Sequence, residues 1–317
     1  MADKGLLGRF RTKNRALARE IASLGRAVEL PSTVLIVGES GTGKDHLARA
    51  LHDGSSRAPR PFVRIDAANL SDELFESEMF GHEKGAFTGA VSANPGLLET
   101  AGDGTVYLDD ASSLSPAAQA KLLRVLQEKT FRRLGGTQTA RFSARLIVSS
   151  RSDLSELVEQ NLFRPDLFYR IDVLTIRLPR LTDRPEDILP LARSFLKRSA
   201  RSFRRAARRF SFDSERILLQ HSWPGNIREL LHVVERAVLA CAESEVRPDD
   251  LPAGALGSPQ ALLSAAVERG WTLRQLSDAY IEETLRRAGG NRTLAASRLG
   301  VSRKSLWERA RKRGRRG

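Results

Sequence analysis

The stretch Val34-Leu-Ile-Val37-Gly38-Glu-Ser-Gly-Thr-Gly-Lys44-Asp45 runs from an apolar segment straight into a glycine-rich turn. The apolar residues are typical of a buried strand, and a helical pattern follows from residue 45 to residue 52. A glycine-rich turn between strand and helix lets backbone N–H groups face phosphate oxygens, and the helix N-terminus adds its positive end. Lys44 then reaches the β- and γ-phosphates, which predicts a P-loop. The predicted nucleotide-binding residues in this stretch are Gly38, Glu39, Ser40, Gly41, Thr42, Gly43, Lys44 and Asp45.

A second apolar segment, residues 104–110, ends in the adjacent carboxylates Asp109 and Asp110. P-loop enzymes place one such acid on Mg²⁺ and another near the attacking water. Many strands end in aspartate, so the signal is strong only because a P-loop precedes it. Together the two motifs predict a nucleotide site in which one of these two acids holds Mg²⁺.

The sequence around these motifs predicts an α/β domain followed by helical segments. Residues 1–180 alternate short β-branched or apolar runs with amphipathic stretches, the pattern of a mainly parallel sheet covered by helices. Helices dominate residues 181–246, the Pro- and Gly-rich residues 247–269 are typical of a linker, and residues 270–317 contain further short helices. The predicted strands are 33–37, 62–66, 105–109, 145–149 and 173–178, and a long helix is predicted over 116–128.

Charge is distributed unevenly along the chain of 317 residues, whose 52 basic and 38 acidic side chains give a net charge of +14. Residues 291–317 hold ten Arg or Lys against Glu308, a net +9 that leaves +5 for the rest. Such a cluster indicates a polyanionic partner, most simply DNA. Residues 197–209 carry seven more basic side chains without an acid. That second run fits either a solvated helix face or a polyanion site.

Several protein classes are excluded by composition. The sequence has no run of about 18 apolar residues for a membrane-spanning helix, and its N-terminus lacks the apolar core of a secretory signal. Its one cysteine, Cys241, allows neither an intrachain disulfide nor a cysteine-based metal cluster, and the five histidines lack metal-ligand spacing. We therefore expect a cytoplasmic protein with no membrane partner.

Residues 76–90 contain the string Gly85-Ala-Phe-Thr-Gly-Ala90, which resembles the hallmark loop of bacterial enhancer-binding proteins, the AAA+ activators of sigma-54 RNA polymerase. The resemblance continues through residues 163–170 and 223–230, and residues 291–313 look like the Fis-type helix-turn-helix of these activators. It therefore covers nearly the whole chain. It implies a P-loop AAA+ domain with a parallel sheet and a small all-α lid, then a helix-turn-helix domain. Because the P-loop begins at residue 38, it also implies an activator without an N-terminal sensory domain.

The resemblance implies a function and a set of site residues. The protein is expected to bind upstream double-stranded DNA, to form dimers and a hexameric ring, and to remodel sigma-54 RNA polymerase by hydrolysing ATP with Mg²⁺. Arg164 and Arg170 match the arginines that reach the neighbouring subunit's ATP. Asp109 is expected to position Mg²⁺ and its water, and Arg228 matches the sensor arginine of the lid. The residues expected to touch sigma-54 are Gly85, Ala86, Phe87, Thr88, Gly89 and Ala90.

Three departures from the family pattern surround the expected attacking water. Asp110 replaces the usual Glu, Asp66 stands where an Asn restrains that Glu, and Ser150 with Arg151 replaces the Thr-Asn of the first sensor. A base shortened by one methylene reaches less far, which predicts slower hydrolysis unless the changes compensate one another. The alternative function is a DNA-binding regulator with a weak or inactive ATPase site, acting beside a paralogous subunit in a hetero-oligomer.

The C-terminal residues predict how DNA is held. Gly300 permits a tight turn between a helix at 291–299 and a basic helix at 303–313 that would enter the major groove. The preceding helix is a candidate for pairing two protomers through Leu276, Tyr280, Ile281 and Leu285. The candidate DNA-binding residues are Arg303, Lys304, Ser305 and Arg309.

Overall fold

The structure, a computed structural model, describes residues 10–26, 29, 32–68, 72–252, 267, 270–287 and 291–301. By contacts between residues, the chain divides into Met1–Pro252 and Ala253–Gly317. The helices of the first unit are α1 (Arg15–Arg26), α2 (Lys44–Asp53), α3 (Asp72–Phe80), α4 (Leu97–Ala101), α5 (Pro116–Glu128), α6 (Leu154–Glu159), α7 (Pro165–Ile171), α8 (Ile188–Ser202), α9 (Phe212–Gln220) and α10 (Asn226–Ala240). Its strands are β1 (Val34–Val37), β2 (Phe62–Asp66), β3 (Gly81–His82), β4 (Asn94–Pro95), β5 (Thr105–Asp109), β6 (Thr130–Arg132), β7 (Thr139–Arg141), β8 (Arg145–Ser150), β9 (Leu174–Arg177), β10 (Arg209–Phe210) and β11 (Glu245–Val246).

The predicted strands form one five-stranded parallel sheet in the order β2-β5-β8-β1-β9. Each of the five lies within one residue of its predicted bounds, and the helix predicted over 116–128 has those bounds as α5. The α/β prediction is therefore confirmed.

Both faces of the sheet are buried, as its apolar strands require. Leu35 and Val37 of β1 belong to a core that the α5 and α7 helices cover, whereas Val34 and Ile36 face a second core beside α1 and α2. Successive side chains of a strand point to opposite faces, so four consecutive apolar residues serve both cores. The carboxyl ends of the parallel strands consequently meet at one edge, where ligands bind in open α/β sheets.

The lid that follows the sheet consists mainly of α8, α9 and α10, as predicted. Trp223 lies almost fully buried beneath it and donates its indole N–H to the Leu218 carbonyl at 2.9 Å. One feature was not predicted: β10 and β11 form a two-residue parallel pair that buries Phe210 and Val246.

The described part of the second unit contains α11 (Leu273–Arg287) and α12 (Arg292–Leu299). Ala295 and Ala296 of α12 are buried, and Ile281 and Leu285 of α11 pack against them. These two α11 residues, predicted to pair protomers, thus contribute to the core within the unit. The basic helix expected at 303–313 lies outside the described residues, as do Arg303, Lys304, Ser305 and Arg309. In the ranges described, no helix is long and apolar enough to cross a membrane.

Candidate active site

The glycine-rich turn after β1 wraps around the side chain of Lys44. Gly41 and Gly43 have φ angles of 79° and 105°, a left-handed conformation that glycine adopts without strain. The Lys44 ammonium donates to the carbonyls of Gly38 and Glu39 at 2.5 and 3.0 Å. Burial lowers the pKa of Lys44, although Asp109 opposes that shift. The turn therefore gathers backbone N–H groups and one buried cation at the start of α2.

Two carboxylates face this turn and share one cation. The guanidinium of Arg64 on β2 lies 3.1 Å from Asp45 and contacts Asp109 at the end of β5. The Ser149 hydroxyl donates to Asp109 Oδ1 at 2.7 Å, and the Tyr107 hydroxyl lies between the two carboxylates, 2.8 Å from Asp45 Oδ1 and 3.1 Å from Asp109 Oδ1. Burial raises the pKa of Asp109, but the Ser149 hydrogen bond and the Arg64 charge lower it more, so the net shift is downward. Asp109 is therefore an ionised carboxylate held in a fixed orientation.

Asp110, the predicted base, is held in another way. Its side chain is buried, its φ is 64°, and its carboxylate accepts hydrogen bonds from the hydroxyls of Ser112 and Ser113 at 2.5 and 2.8 Å. The Arg151 backbone N–H donates to the same carboxylate at 3.3 Å, and the Arg151 Nε forms an ion pair with it at 2.9 Å. Two of the residues that depart from the family pattern thus form an ion pair with each other.

The remaining predicted residues near the sheet edge have distinct surroundings. Asp66 lines the same pocket as Lys44 and accepts a hydrogen bond from the Ala68 N–H at 3.1 Å. The buried Ser150 donates its hydroxyl to the Ser152 carbonyl at 2.6 Å, and its own carbonyl accepts from the Gly38 N–H at 3.1 Å. Ser150 thereby ties β8 to the P-loop through its backbone.

The lid meets the P-loop directly and closes the pocket. Arg228 donates to the Ser40 hydroxyl at 2.7 Å, and the Ile227 N–H donates to the Gly41 carbonyl at 2.9 Å. Buried Arg184, which the sequence did not single out, donates to the Thr42 carbonyl at 2.6 Å. The resulting pocket of about 510 Å³ is lined by P-loop, strand-end and lid residues together.

Arg164 and Arg170 stand apart from this pocket, on and beside α7. Arg164 precedes α7 and forms an exposed ion pair with Asp166 at 2.8 Å. Exposed Arg170 donates to the Leu126 carbonyl at 3.1 Å. Neither side chain lines the pocket of its own chain.

Residues 85–90 form the exposed connection between the paired strands β3 and β4. Gly85 and Gly89 have φ angles of 83° and 110°, and the Gly85 N–H donates to the Ala90 carbonyl at 2.9 Å. The Phe87 ring is 46% exposed and packs edge-on against His82 at 4.9 Å between centroids. The loop therefore presents an aromatic side chain to solvent on a short frame with two glycine turns.

The sequence that forms this site matches a known protein family. Residues 10–177 match the Sigma-54 interaction domain, a stretch that covers the P-loop, the sheet and the exposed loop. The chain belongs to this sigma-54 activator family. Residues 182–265 match the AAA+ ATPase lid domain, and residues 272–312 match the bacterial regulatory proteins of the Fis family. The resemblance drawn from the sequence is thereby confirmed, as is the AAA+ domain with a helical lid followed by a helix-turn-helix.

Relatives of this family member include transcriptional regulatory proteins. The chain is 45% identical over 275 residues to the transcriptional regulatory protein ZraR of Klebsiella oxytoca and 42% identical over 281 residues to the regulatory protein AtoC of Escherichia coli K12. Each alignment covers 87% of this chain but only 62% and 61% of the relative. NtrX of Brucella abortus, solved in complex with ATP, superposes with a TM-score of 0.70 at 33% identity, covering 95% of this chain and 68% of NtrX.

Four residues at the site of this sigma-54 activator family member were not predicted from the sequence: Arg64, Tyr107, Ser149 and Arg184. Arg64 and Tyr107 are neighbours in the register of β2 and β5, so they lie together at the carboxyl edge beside Asp109. A polar residue within an otherwise apolar strand is the signal that could have found the first three. Arg184 lies far from the motifs in sequence and carried no comparable signal.

Proposed function

We propose that this protein is an ATP-dependent transcription activator that remodels sigma-54 RNA polymerase while bound to upstream double-stranded DNA. The observation that carries the proposal is the pocket in which Lys44, Asp109 and Arg228 converge from P-loop, strand end and lid. Each brings a charge to the place where a triphosphate would bind against the backbone N–H groups of the P-loop. The ATP and ADP complexes of NtrX support the same ligand here.

The acidic side of the pocket fits Mg²⁺. Carboxylate oxygens are the hard ligands that Mg²⁺ prefers, and Asp45 and Asp109 already hold a cation between them in Arg64. When bound, Mg²⁺ would neutralise phosphate charge. Asp109 would orient it with Asp45, while Ser149 and Tyr107 keep the Asp109 carboxylate in place.

Hydrolysis is proposed to depend on assembly into dimers and a hexameric ring. Arg164 and Arg170 lie outside the pocket of their own chain and are exposed, so a neighbouring subunit can receive them. An arginine supplied in trans stabilises the charge of the transferring phosphoryl group. Turnover would then report contact between subunits.

The exposed loop at 85–90 is proposed to press on sigma-54. Its Phe87 offers a half-exposed aromatic ring, and the left-handed glycines at both ends allow the loop to change shape without rebuilding β3 and β4. Thr88 beside it would contribute a hydroxyl to the same surface.

The domains are proposed as 1–180 for the α/β part, 181–246 for the lid, 247–269 for the linker and 270–317 for DNA binding. The contact-based division between Pro252 and Ala253 falls inside that linker and supports it. The Fis-family match supports DNA binding by the C-terminal part, where Arg303, Lys304, Ser305 and Arg309 are the proposed contacts. The cytoplasm, where ATP and DNA meet, is the proposed location.

A second candidate function rests on Asp110. Its carboxylate is buried, accepts three hydrogen bonds and forms an ion pair with Arg151, which leaves it poorly placed to take a proton from water. This favours a subunit that binds ATP but hydrolyses it slowly, with a paralogous subunit supplying a complete site.

Mg²⁺-dependent ATP hydrolysis across a protein concentration series separates the two candidates, with Asp109→Ala as the control. The self-sufficient activator predicts turnover that rises cooperatively with concentration and disappears in the control. ATP binding without turnover at every concentration would contradict it and favour the partner-dependent subunit.

A further inference from the structure

A basic groove lies on the lid, well away from the P-loop in sequence. It has a volume of about 850 Å³ and is lined by the last turns of α8 and by the segment that leads to β10. Alanines form its floor, and its cationic lining is Arg193, Lys197, Arg201, Arg204, Arg205 and Arg208. Most of these belong to the acid-free run at 197–209.

Most of these charges are not neutralised by carboxylates. At the rim, Arg193 pairs with Glu215, and Arg209 beside the groove pairs with Glu245, both at 2.8 Å. Arg208 donates only to backbone carbonyls. Within the part of the chain that the structure describes, Lys197, Arg201, Arg204 and Arg205 have no carboxylate within ion-pair distance. A surface that merely needed solubility would intersperse both signs of charge.

The backbone at the end of α8 adds a second observation. Arg204 has a φ of 53°, and the Arg205 N–H donates to the Ala200 carbonyl at 2.9 Å, which is the Schellman termination of a helix. Glycine is the usual residue at that left-handed position, and Gly300 occupies it at the end of α12. The chain therefore places an arginine where the backbone prefers glycine, and a charge is held at the mouth of the groove.

We propose that this groove is a second DNA-binding surface that holds the phosphate backbone of a duplex. Arginine guanidinium groups match phosphate oxygens in geometry. Among the residues that the structure describes, the groove lining has no aromatic ring on which unpaired bases could stack, so the chemistry fits duplex backbone better than single strands. The Fis-family region would tether DNA to the same chain, which raises the effective concentration of DNA for a second site on that chain.

The test compares two triple variants of the full chain that lose the same charge. The groove variant is Lys197→Ala/Arg201→Ala/Arg204→Gly, and the matched control is Arg15→Ala/Arg60→Ala/Arg236→Ala, three exposed arginines outside the groove. Fluorescence anisotropy with a long mixed-sequence duplex, without nucleotide, gives affinity as a function of salt. The C-terminal contribution is common to all three proteins, so differences in salt slope report the groove.

Counterion release predicts that the slope of log affinity against log salt concentration falls in magnitude by about two to three in the groove variant. Its affinity at low salt should fall about ten-fold or more, while the control keeps the wild-type slope. Arg204→Gly alone should lose about one from the slope without lowering the melting temperature, because glycine suits its φ. Equal losses in both triple variants, or no loss in either, would overturn the proposal. So would unchanged duplex binding accompanied by lost binding to single-stranded RNA or anionic vesicles.

Discussion

Arg64 changes what the nucleotide pocket can bind. Its guanidinium is about half exposed and pairs with both Asp45 and Asp109, the carboxylates proposed to hold Mg²⁺. A cation fixed between two metal ligands competes with the metal for their charge. Arg64 therefore competes with Mg²⁺ for the Asp45 and Asp109 carboxylates.

Replacing Arg64 with alanine should lower the Mg²⁺ concentration needed for half-saturation of nucleotide binding. We expect a change of about five-fold, because a half-exposed ion pair contributes about 1 kcal/mol. Titration of Mg²⁺ at fixed ATP, followed by a fluorescent nucleotide, measures it. Arg49→Ala is the control, since Arg49 pairs with Asp53 on α2 and does not line the pocket. A higher Mg²⁺ requirement in Arg64→Ala would mean that Arg64 assists the nucleotide instead.

Sequence reasoning found the carboxylates of this site but not their partners. Asp109 and Asp110 follow an apolar strand, and that pattern is visible in one dimension. The contact between Arg64 and Asp109 depends on the register that pairs Arg64 with Tyr107 and Asp66 with Asp109. Register between two strands 40 residues apart is set by tertiary packing, so it leaves no local signal. For the same reason the Asp110–Arg151 ion pair was not foreseen.

At the scale of elements, the P-loop and the lid touch through Gly41. A Cβ on Gly41 would lie 2.4 Å from the Gly225 carbonyl oxygen at the start of α10. A Cβ on Gly85, whose φ is similar, would meet no atom within 4 Å. An alanine at either position would suffer the same backbone strain, but only at residue 41 would its Cβ also clash with a neighbouring atom.

Gly41→Ala should therefore destabilise the protein more than Gly85→Ala does. The left-handed conformation costs alanine about 1 kcal/mol at either position, and the clash at residue 41 adds about 1–3 kcal/mol or displaces the lid. Urea unfolding gives the two free energies, and nucleotide affinity should fall only in Gly41→Ala. Equal losses of stability would show that the lid contact at Gly41 is not tight.

A buried histidine links α2 to the sheet and makes stability depend on pH. His52 is 1% exposed, and its Nδ1 lies 2.9 Å from the Thr105 hydroxyl of β5. Burial lowers the pKa of His52, so the unfolded chain, with a pKa of about 6.5, binds its proton first. The contribution of neutral His52 to stability is present above that pH and is lost as pH falls through the folded pKa.

The free energy of unfolding should thus decrease as pH falls below about 6.5, with a slope of at most about 1.4 kcal/mol per pH unit from this residue. Thermal unfolding between about pH 5.5 and 7.5 avoids most carboxylate titration. His52→Gln should be less stable near neutral pH and should show a flatter profile. A profile as steep as that of the wild type would assign the pH dependence to another group.

The elements themselves were predictable to different degrees. Strands β1, β5 and β8 consist almost entirely of buried residues, and α5 begins with the cap Ser115 and a proline, so both kinds of element carry their own signals. The two-residue strands β10 and β11 are too short for any periodicity. They pair because the lid brings Phe210 and Val246 together, which only the folded chain determines.

At the scale of the whole molecule, the pocket lacks the arginines that the proposed reaction needs. Lys44 and Asp109 lie inside it, whereas exposed Arg164 and Arg170 are outside it. If the proposed function holds, this chain would hydrolyse ATP only where one subunit's α7 meets another subunit's P-loop. Such a contact would join two different surfaces, and repetition of it forms a ring when the rotation between subunits closes.

Mixing two inactive variants should therefore restore activity. Lys44→Ala removes the phosphate contact within the pocket, and Arg164→Ala/Arg170→Ala removes the proposed contribution to the neighbour. In an equal mixture, about a quarter of the contacts join an intact P-loop to intact arginines, so about a quarter of the wild-type ATPase rate is expected. Mixing Lys44→Ala with Asp109→Ala is the control, because both changes damage the same pocket. No subunit in that mixture has an intact pocket, so no recovery of activity should occur. If both mixtures stay inactive while each protein still assembles, Arg164 and Arg170 do not act between subunits.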